Sequence, residues 1–529
     1  MGKKRYKIIR DSVHGDITIS EDFVTKFIDT KLFQRLRNIE QSGMSPVYPS
    51  GLHNRFVHSL GVFHLAKKSI KNLIDNVDNI DNNIINILIK YKKTFLVAAL
   101  LHDIGHSPFS HLFEEYYDKE NKVTINLYNE LKKVNPNFDV EKEKLLGKPH
   151  EKMSSLVLLK NYKKECKELE VNLELACRMI IGQPYKDSNE ENQIKNILIC
   201  QLNGETIDVD KTDYIMRDSF VAGMNNVTID TFRLFKGQHI IKHEGKYILV
   251  YNKSAFSVIE RIVRGKIFLK NWVHHHHKVI YYDHLLKNVI QYMLEHYGDE
   301  YNSNIISDVF SYKIFDRNVQ FAENDIVINN TTDIDLLYLL KIYYHTIRDD
   351  KEYKKHKDQY CEIVSRKHKY FPLWKSKVEF DIVFYRYKDE LEDAMRNYEE
   401  YNKFLGSKWL KLYLLKIFIS RALEQEFNID ETGYLLKEGE RSYNTIDDDR
   451  IKIHFHKEVR SFQEAFPDMG SGVLEEYRTS DYFVYLFISN DYLGKKVDIR
   501  DFFTNKDMSC VINSEISTQF TKILSGLIE

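Results

Sequence analysis

Apolar residues recur at helical spacing along much of the chain, and this pattern predicts helices over residues 22–40, 58–75 and 84–103. Two shorter segments, 6–19 and 246–252, have the residue types and spacing of extended strands. A turn at His14-Gly15 divides the first of them. Because the helical segments are the longer and more numerous, the pattern predicts a mostly α protein with small β elements.

The pattern changes towards the C-terminus. Residues 119–149 are polar and weakly patterned, which predicts a mobile insertion. A long helix is predicted over 254–298, and further helices over 334–420. After residue 428, segments such as RIKIHFH and DYFVYLFIS have the alternating or aromatic-rich pattern of strands. We therefore expect a C-terminal α+β region, with a domain boundary near residue 375.

The composition narrows the classes of protein. Gly and Pro are sparse, at 21 and 8 of 529 residues, which favours long helices. Lys and Arg number 77 against 78 Asp and Glu, so no overall positive field indicates a nucleic-acid partner. Cys166, Cys177, Cys200, Cys361 and Cys510 lack C-x-x-C spacing, which indicates reduced thiols. Without a signal peptide or a long apolar span, we expect a cytoplasmic protein with no membrane partner.

The stretch LLHDIGHSPFSHLFE, residues 100–114, follows the apolar run TFLVAA and concentrates three histidines with acids. Imidazoles and carboxylates are costly to bury unless something compensates them. His102 and Asp103 can both bind a divalent ion, and His106, one helical turn later, would share a face with His102. The alternative is a set of hydrogen-bonded core histidines, but the density of the cluster favours a functional site.

The same stretch continues past a break. Ser107 and Pro108 suit the cap and the first position of a second helix. His111 and Glu114, three residues apart, would share a face of that helix. A carboxylate beside an imidazole orients the ring and favours its protonated form, so this pair is a candidate proton donor.

Two further segments supply polar side chains for such a site. They are His53, Arg55 and His58 in GLHNRFVHSLGV, and Asp210, Lys211, Tyr214 and Asp218 in IDVDKTDYIMRDSF. The second segment places two acids and a phenol at i, i+4 and i+8, on one helical face. That face is either a wall of a polar pocket or a solvated surface.

The motifs DSVHGDITIS, IDTKLFQRLRNIEQSG, HNRFVHSLGV, LLHDIGHSPFSHLFE, PHEKMS and IDVDKTDYIMRD occur in this order. Together they resemble the HD-domain deoxynucleoside triphosphate triphosphohydrolases. The resemblance covers roughly residues 1–300 and continues faintly over 362–375. It implies a helical HD-domain core and an HD-type metal-dependent phosphohydrolase domain over 1–375. The α+β region 376–529 has no role that the resemblance explains.

The resemblance also implies an activity and a set of metal ligands. His58, His102, Asp103 and Asp210 match the family's ligands for a divalent ion, which would be Mn, Mg, Fe or Zn. The implied reaction is attack of water on the α-phosphorus of a dNTP, which releases a deoxynucleoside and inorganic triphosphate. The implied substrate partner is therefore a dNTP.

Other residues match the family's substrate and catalytic positions. The matched catalytic or phosphate-binding residues are His106, His111, Glu114, His150, Arg55 and Lys211, and the matched sugar-binding residues are Gln41, Tyr214 and Asp218. His111 would protonate the departing 5′ oxygen. The chain departs from the family at the sugar: Ser42 replaces a Leu, and His274 or His275 replaces a Tyr. These departures predict weaker rejection of ribonucleotides.

A second nucleotide site is implied by Lys7, Asp29, Gln34 and Arg37, which match the residues that bind a guanine-nucleotide activator at subunit contacts. We expect a dGTP- or GTP-like activator and a homo-oligomer, either a dimer or a tetramer. The alternative is that DTKLFQRLR forms an ordinary packed helix with surface charges.

Two other functions remain open at the level of sequence. One is an HD phosphohydrolase that acts on another nucleotide or on nucleic acid. The other is a nucleotide-sensing scaffold without catalytic activity. The complete set of metal ligands argues against the scaffold.

Overall fold

The structure, a computed structural model, describes residues 5–76, 82–118, 121–138, 144–204, 207–224, 227–301, 309–310, 312–315, 330–346, 348–384, 387, 407–440, 451–455, 458–465 and 482–505. Two compact units are built from discontinuous segments of the chain. They are Met1–Leu269, Leu286–Lys357 and Asn444–Arg478 for the first unit, and Lys270–Leu285, Asp358–Tyr443 and Thr479–Glu529 for the second. The boundary expected near residue 375 stays a prediction, and the second unit contains segments on both sides of that residue.

Helices dominate the described residues, as the pattern predicted. Those up to residue 301 are α1 (Glu21–Phe23), α2 (Lys31–Arg35), α3 (Arg55–Asp75), α4 (Asn82–Leu101), α5 (Lys122–Val134), α6 (Pro149–Asn161), α7 (Lys163–Glu168), α8 (Leu173–Ile180), α9 (Glu190–Leu202), α10 (Val209–Val221), α11 (Thr231–Lys236), α12 (Phe256–Leu269) and α13 (His277–Tyr301). Later helices span Asp333–His345, Lys351–Ser365, Lys377–Phe384, Ser407–Phe427, Phe462–Ala465 and Lys496–Asn505.

The core of the first unit lies around α3 and α4. At the end of α4, Phe95 and residues 97–101 have no exposed surface, because α3, α8 and α9 all pack against this helix. The side chain of Asn54 caps α3 by accepting a hydrogen bond from the Val57 amide, and Asp208 caps α10 in the same way. These two caps fix the first turns of the helices that carry His58 and Asp210.

The structure differs from the predicted pattern in several places. The helix expected over 22–40 is divided into α1, a π-helical turn over Val24–Ile28, α2 and a 3₁₀ turn over Leu36–Asn38. The segment 119–149, predicted to be weakly patterned, contains α5, which buries Val123, Leu127 and Leu131 at helical spacing. The long helix expected over 254–298 is interrupted. The helix α12 ends at Leu269, a π-helical turn follows over Lys270–His274, and α13 begins at His277.

The strands form three small sheets. They are β1 (Tyr6–Asp11), β2 (Gly15–Ser20), β3 (Gln238–His243), β4 (Lys246–Asn252), β5 (Tyr370–Pro372), β6 (Tyr434–Glu440), β7 (Lys452–Phe455), β8 (Glu458–Ser461) and β9 (Tyr482–Ser489). An antiparallel hairpin pairs β1 with β2, from Tyr6 opposite Ser20 to Asp11 opposite Gly15. A four-stranded sheet of order β3-β4-β7-β8 completes the first unit.

The second unit contains the sheet β5-β9-β6 and its own aromatic core. Trp374 is fully buried among Phe380, Phe384 and Phe503, and its indole N–H donates to the Val484 carbonyl at 2.7 Å. The C-terminal α+β region predicted from the sequence is therefore confirmed.

Within the described ranges, no helix combines the length and the apolarity needed to cross a membrane. No disulfide joins the cysteines in those ranges, and Cys510 lies outside them.

Candidate active site

The four predicted metal ligands come together between α3, α10 and the turn after α4. His58 lies in the first turn of α3, His102 and Asp103 follow the last residue of α4, and Asp210 lies in the first turn of α10. His58 Nε2 lies 3.0 Å from Asp210 Oδ1 and 3.3 Å from His102 Nε2. His102 Nε2 lies 3.4 Å from Asp103 Oδ1. His58, His102 and Asp103 thus offer ligand atoms close enough together for one ion, and Asp210 lies beside both imidazoles.

The donor atoms of this cluster fit a divalent ion. His102 Nδ1 donates to the Ala99 carbonyl at 2.9 Å, and His58 Nδ1 donates to Asp213 Oδ2 at 2.8 Å. When both rings are neutral, as metal ligands are, each carries its one proton on Nδ1, and both Nε2 atoms present lone pairs to each other across 3.3 Å. Two facing lone pairs repel unless a cation lies between them. Imidazole nitrogens beside carboxylate oxygens are ligands that transition-metal ions accept.

The charges of the cluster also attract a cation. Burial opposes a charge on His58, but the Asp210 and Asp213 carboxylates outweigh burial and raise the pKa of His58 to about 10. Burial likewise opposes ionisation of Asp103, yet Arg55, His102 and His58 hold the pKa of Asp103 well below its ordinary value. The cluster therefore favours ionised carboxylates and a bound positive charge, whether protons or a metal ion.

Arg55 is buried and firmly held beside the cluster. Its Nη1 donates to Asp103 Oδ2 at 2.5 Å, its Nε to Ser110 Oγ at 2.8 Å, and its Nη2 to the Gln41 carbonyl at 3.2 Å. The guanidinium thus links the metal cluster to the loop at Gln41 and to the segment that carries His111.

A second cluster contains His106, His111, His150 and Glu114. Glu114 Oε2 accepts from His111 Nδ1 at 2.8 Å, and Glu114 Oε1 contacts His150 Nδ1. The His106 and His150 rings stack with centroids 4.0 Å apart. His106 Nε2 lies 3.4 Å from Asp103 Oδ1, which joins this cluster to the metal cluster.

The local structure here differs from the prediction. The helix α4 ends at Leu101, so His102 and His106 do not share a helical face. Ser107 and Pro108 do not start a helix either. A 3₁₀-helix begins only at Ser110. Phe109, just before it, and Ser110, its first residue, have positive φ angles of 56° and 55°. The contact between His111 and Glu114 survives, because side chains at i and i+3 eclipse in a 3₁₀-helix.

The environment lowers the pKa of two histidines of the second cluster, His106 and His111. Burial, with the charge of Arg55, lowers the pKa of His106 well below its ordinary value. Desolvation by the surrounding protein lowers the pKa of His111 as well. The hydrogen bond to Glu114 opposes this shift, and 56% of the His111 side chain is exposed. Neither ring nitrogen of His106 makes a hydrogen bond within the described residues. A ligand that donates or accepts there would satisfy them.

The residues predicted to hold the sugar supply further unsatisfied atoms. Gln41 Oε1 and Ser42 Oγ are buried and have no hydrogen-bond partner among the described residues. Tyr214 and Asp218 continue the face of α10 that begins at Asp210. Asp218 Oδ1 accepts from His53 Nε2 at 2.7 Å. A buried polar atom without a partner costs free energy, so these atoms suit a polar ligand.

Two predicted contacts stay predictions. Lys211 Nζ donates to the Gly204 carbonyl at 2.7 Å and to Asp208 Oδ2 at 2.5 Å, so a phosphate would have to share this amine. His274 ends the π-helical turn and His275 follows it in the second unit. Their place beside the sugar is untested.

The four residues of the predicted activator site form two pairs. Lys7 Nζ lies 4.0 Å from Asp29 Oδ1, and Arg37 Nε donates to Gln34 Oε1 at 2.7 Å. The Arg37 guanidinium also stacks over the Phe56 ring, 3.6 Å from its centroid. A common nucleotide site for these pairs stays a prediction.

Sequence reasoning missed two residues that the structure places at the site. Asp213 bonds to His58, and His53, noted in its motif without a role, bonds to Asp218. Asp213 could have been predicted to form an ion pair, because Arg217 follows it at the i+4 spacing of a helix. His53 carried no comparable signal.

Comparison with known proteins agrees with this geometry. Residues 55–193 match the model of the HD domain. An uncharacterized protein of Mycoplasma genitalium is 31% identical over 277 residues, which are 52% of this chain and 56% of that protein. The deoxynucleoside triphosphate triphosphohydrolase SAMHD1 of Gallus gallus is 31% identical over 301 residues, 54% of this chain and 44% of that protein. The SAMHD1 homolog of Dictyostelium discoideum is 30% identical over 269 residues, which are 49% of this chain and 44% of that protein. The chain spans about half the length of the curated relatives it matches.

A phosphohydrolase of Bacteroides thetaiotaomicron shares the fold, with a TM-score of 0.58, 20% identity and coverage of 92% of this chain and 100% of that one. The segment 55–193 that matches the HD domain contains His58, His102 and Asp103, while Asp210 lies beyond it. Residues 55–193 therefore carry an HD domain, which is a metal-dependent phosphohydrolase domain, and about half of the chain resembles dNTP triphosphohydrolases.

Proposed function

We propose that the protein hydrolyses dNTPs at the α-phosphate and releases a deoxynucleoside and inorganic triphosphate. The observation that carries this proposal is the junction of the two clusters through His106, whose Nε2 lies 3.4 Å from Asp103 Oδ1. A metal cluster beside a neutral histidine without hydrogen-bond partners among the described residues, and beside a buried arginine, suits a polyphosphate chain. The resemblance to dNTP triphosphohydrolases supports the same substrate class.

The metal would be held by His58, His102, Asp103 and Asp210. A divalent ion bound there supplies Lewis-acid stabilisation of negative charge on the phosphate. Arg55 is fixed by three hydrogen bonds and adds positive charge, and the neutral His106 ring can donate its one N–H to a phosphate oxygen.

His111 is the proposed acid. Water attacks the α-phosphorus and loses a proton to solvent, the bond from phosphorus to the 5′ oxygen breaks, and that oxygen takes the proton from His111. The pKa of His111 is low in the free protein, but the negative charge of a bound triphosphate raises the pKa of a neighbouring imidazole. Glu114 orients the ring through Nδ1, which leaves Nε2 to carry the transferred proton.

Substrate and regulation follow from the remaining residues. Gln41, Tyr214 and Asp218 are the proposed contacts of the deoxyribose, with Asp218 accepting from the 3′ hydroxyl. Lys211 is the proposed additional phosphate contact. We further propose that a guanine nucleotide activates a cytoplasmic homo-oligomer through the site that contains Arg37.

The test is an analysis of products. The purified full-length protein is incubated with each dNTP, with Mn²⁺ or Mg²⁺, and with or without GTP. The phosphate product is then identified by ³¹P NMR, with chelated protein as the control. Triphosphate together with deoxynucleoside supports the proposal. Pyrophosphate or monophosphate as product would indicate another HD phosphohydrolase, and nucleotide binding without turnover would indicate a sensing scaffold.

A further inference from the structure

The Asp213 carboxylate is completely buried and accepts four hydrogen bonds. Oδ2 accepts from His58 Nδ1 at 2.8 Å and from Arg217 Nε at 2.9 Å. Oδ1 accepts from His14 Nε2 at 2.5 Å and from Arg217 Nη2 at 3.1 Å. A carboxylate has about four acceptor sites, so these bonds occupy all of them.

This arrangement determines which nitrogen of His58 faces the metal cluster. An ionised carboxylate can only accept, so the bonded His58 nitrogen, Nδ1, carries the proton. The Nε2 lone pair then points towards Asp210 and His102. Carboxylates that bond to the outer nitrogen of a metal-binding histidine fix its tautomer and its orientation.

The N-terminal hairpin reaches the same carboxylate. His14 lies in the turn between β1 and β2, and only 2% of its side chain is exposed. Asp11 holds this turn by accepting from the amides of Val13 and His14 at 2.9 and 2.8 Å. Asp11 also accepts from Arg217 Nη1 at 2.9 Å. The turn is therefore bonded to α10 twice, once through His14 and once through Asp11.

Gly61 makes this approach possible. It lies three residues after His58 on α3, where a side chain would face α10. A Cβ atom at this position would lie 1.9 Å from Asp213 Oδ1 and 2.5 Å from Arg217 Nη2. Atoms cannot approach so closely, so any side chain here would displace the carboxylate from His58.

We propose that Asp213 is a positioning residue for the metal ligand His58, and that the N-terminal hairpin supports the metal site through His14. This inference rests on the proposed function in one respect, which is the assignment of His58 as a metal ligand. It adds a dependence of metal affinity on a turn that lies far from the ligands in sequence.

The test measures Mn²⁺ affinity of the full-length protein by electron paramagnetic resonance of free Mn²⁺, which requires no turnover. Asp213→Asn should weaken binding by about 10- to 100-fold. The amide group would favour the His58 tautomer that carries its proton on Nε2. His14→Ala should weaken binding several-fold, and His14→Gln, which keeps an N–H donor, should recover part of the loss. Gly61→Ala should behave like Asp213→Asn. Arg10→Ala is the control, since it breaks only an exposed pair with Asp16 on the same hairpin.

The melting temperature of each chelated variant is measured in parallel. Weaker Mn²⁺ binding by His14→Ala with partial recovery in His14→Gln, at an unchanged melting temperature, supports the inference even if Asp213→Asn does not fold. If His102→Ala loses Mn²⁺ while Asp213→Asn and His14→Ala bind as the wild type does, the positioning role is wrong and the metal site stands. If His102→Ala binds Mn²⁺ as the wild type does, the metal assignment and this inference both fail.

Discussion

His53 Nε2 lies 2.7 Å from Asp218 Oδ1, and both side chains are more than nine-tenths buried. The histidine donates to one carboxylate oxygen and so orients the other for a ligand. We predict that His53→Ala lowers kcat/KM for a dNTP by about 5- to 30-fold, which corresponds to the roughly 1–2 kcal/mol of an oriented buried hydrogen bond.

The same variant should lose a smaller factor in kcat/KM with a 3′-deoxy substrate, because that substrate lacks the hydroxyl from which Asp218 would accept a hydrogen bond. Steady-state kinetics with dGTP and ddGTP measure the difference. Leu52→Ala, an exposed change beside His53, is the control. Equal losses on both substrates would contradict a role of this pair in binding the 3′ hydroxyl.

His102 and Asp210 should act as one unit. We predict that His102→Ala and Asp210→Ala each lose bound metal and nearly all activity, and that the double variant is no worse than either, since both remove ligands of one ion. Metal content by mass spectrometry and kcat are the measurements, and His243→Ala on β3 is the control. Activity near the wild-type level in either single variant would remove the metal assignment.

Ser42 should weaken the exclusion of ribonucleotides. Its hydroxyl is buried without a partner among the described residues, and it can bond to a 2′ hydroxyl. We predict that NTPs compete measurably with dNTPs and that Ser42→Leu restores exclusion, because excluding one hydroxyl needs a wall against the 2′ carbon. Ser42→Ala separates the effect of the hydroxyl from that of volume. Complete indifference of the wild type to NTPs would show that another residue forms the wall.

Arg37 should affect activation and leave the metal unchanged. It stacks on Phe56 and bonds to Gln34, so it is held in place for a ligand. We predict that Arg37→Ala reduces activation by GTP or dGTP several-fold and reduces nucleotide-dependent oligomerisation, with metal content unaltered. Activity assays and light scattering with and without GTP measure this, with the exposed Lys31→Ala as control. Full activity of a monomer with substrate alone would contradict the prediction.

Glu40 and Asp333 should make stability depend on pH. Burial and the Asp333 carboxylate raise the pKa of Glu40 to about 7, and burial raises the pKa of Asp333 to about 6. The folded protein therefore binds more protons than the unfolded chain between about pH 4.5 and 7. The stability from the protonated acids is complete below that window and is lost as pH rises through it.

Glu40→Gln mimics the neutral acid and should reduce this loss. Between pH 5 and pH 8, the free energy of unfolding should fall less for the variant than for the wild type, by on the order of 1 kcal/mol. Melting temperatures at four pH values measure the difference, with Glu21→Gln, an exposed acid, as control. A parallel pH dependence of variant and wild type would contradict the raised pKa.

The amino-acid pattern alone was sufficient to predict the elements whose signal is local. The apolar spacing indicated α3 and α4, and the strand over Lys246–Asn252 has the bounds expected for it. The motifs also indicated His58 and His102 as partners, and the structure brings them within 3.3 Å. Burial of an apolar face and the types of metal-binding side chains are properties that short segments carry on their own.

The sequence failed where distant contacts set the backbone. The helical spacing of His102 and His106 suggested one helix, but the chain leaves α4 at Leu101. The positive φ of Phe109 is supported by Asp333, which accepts from the Phe109 amide 224 residues earlier in the chain. Local spacing contains no information about such a partner, so tertiary structure overrides it.

The pairing of polar groups is set by the packing of distant segments. His14 and Asp213 are 199 residues apart, and His53 and Asp218 are 165 apart. The first pair depends on how α3, α10 and the hairpin pack, and on the absence of a side chain at Gly61, which lets Asp213 approach α3. The second pair depends on how the loop before α3 packs against α10. The sequence specifies the donors and acceptors, whereas close packing of the helices selects the pairs, because a buried carboxylate is stable only where several donors reach it together.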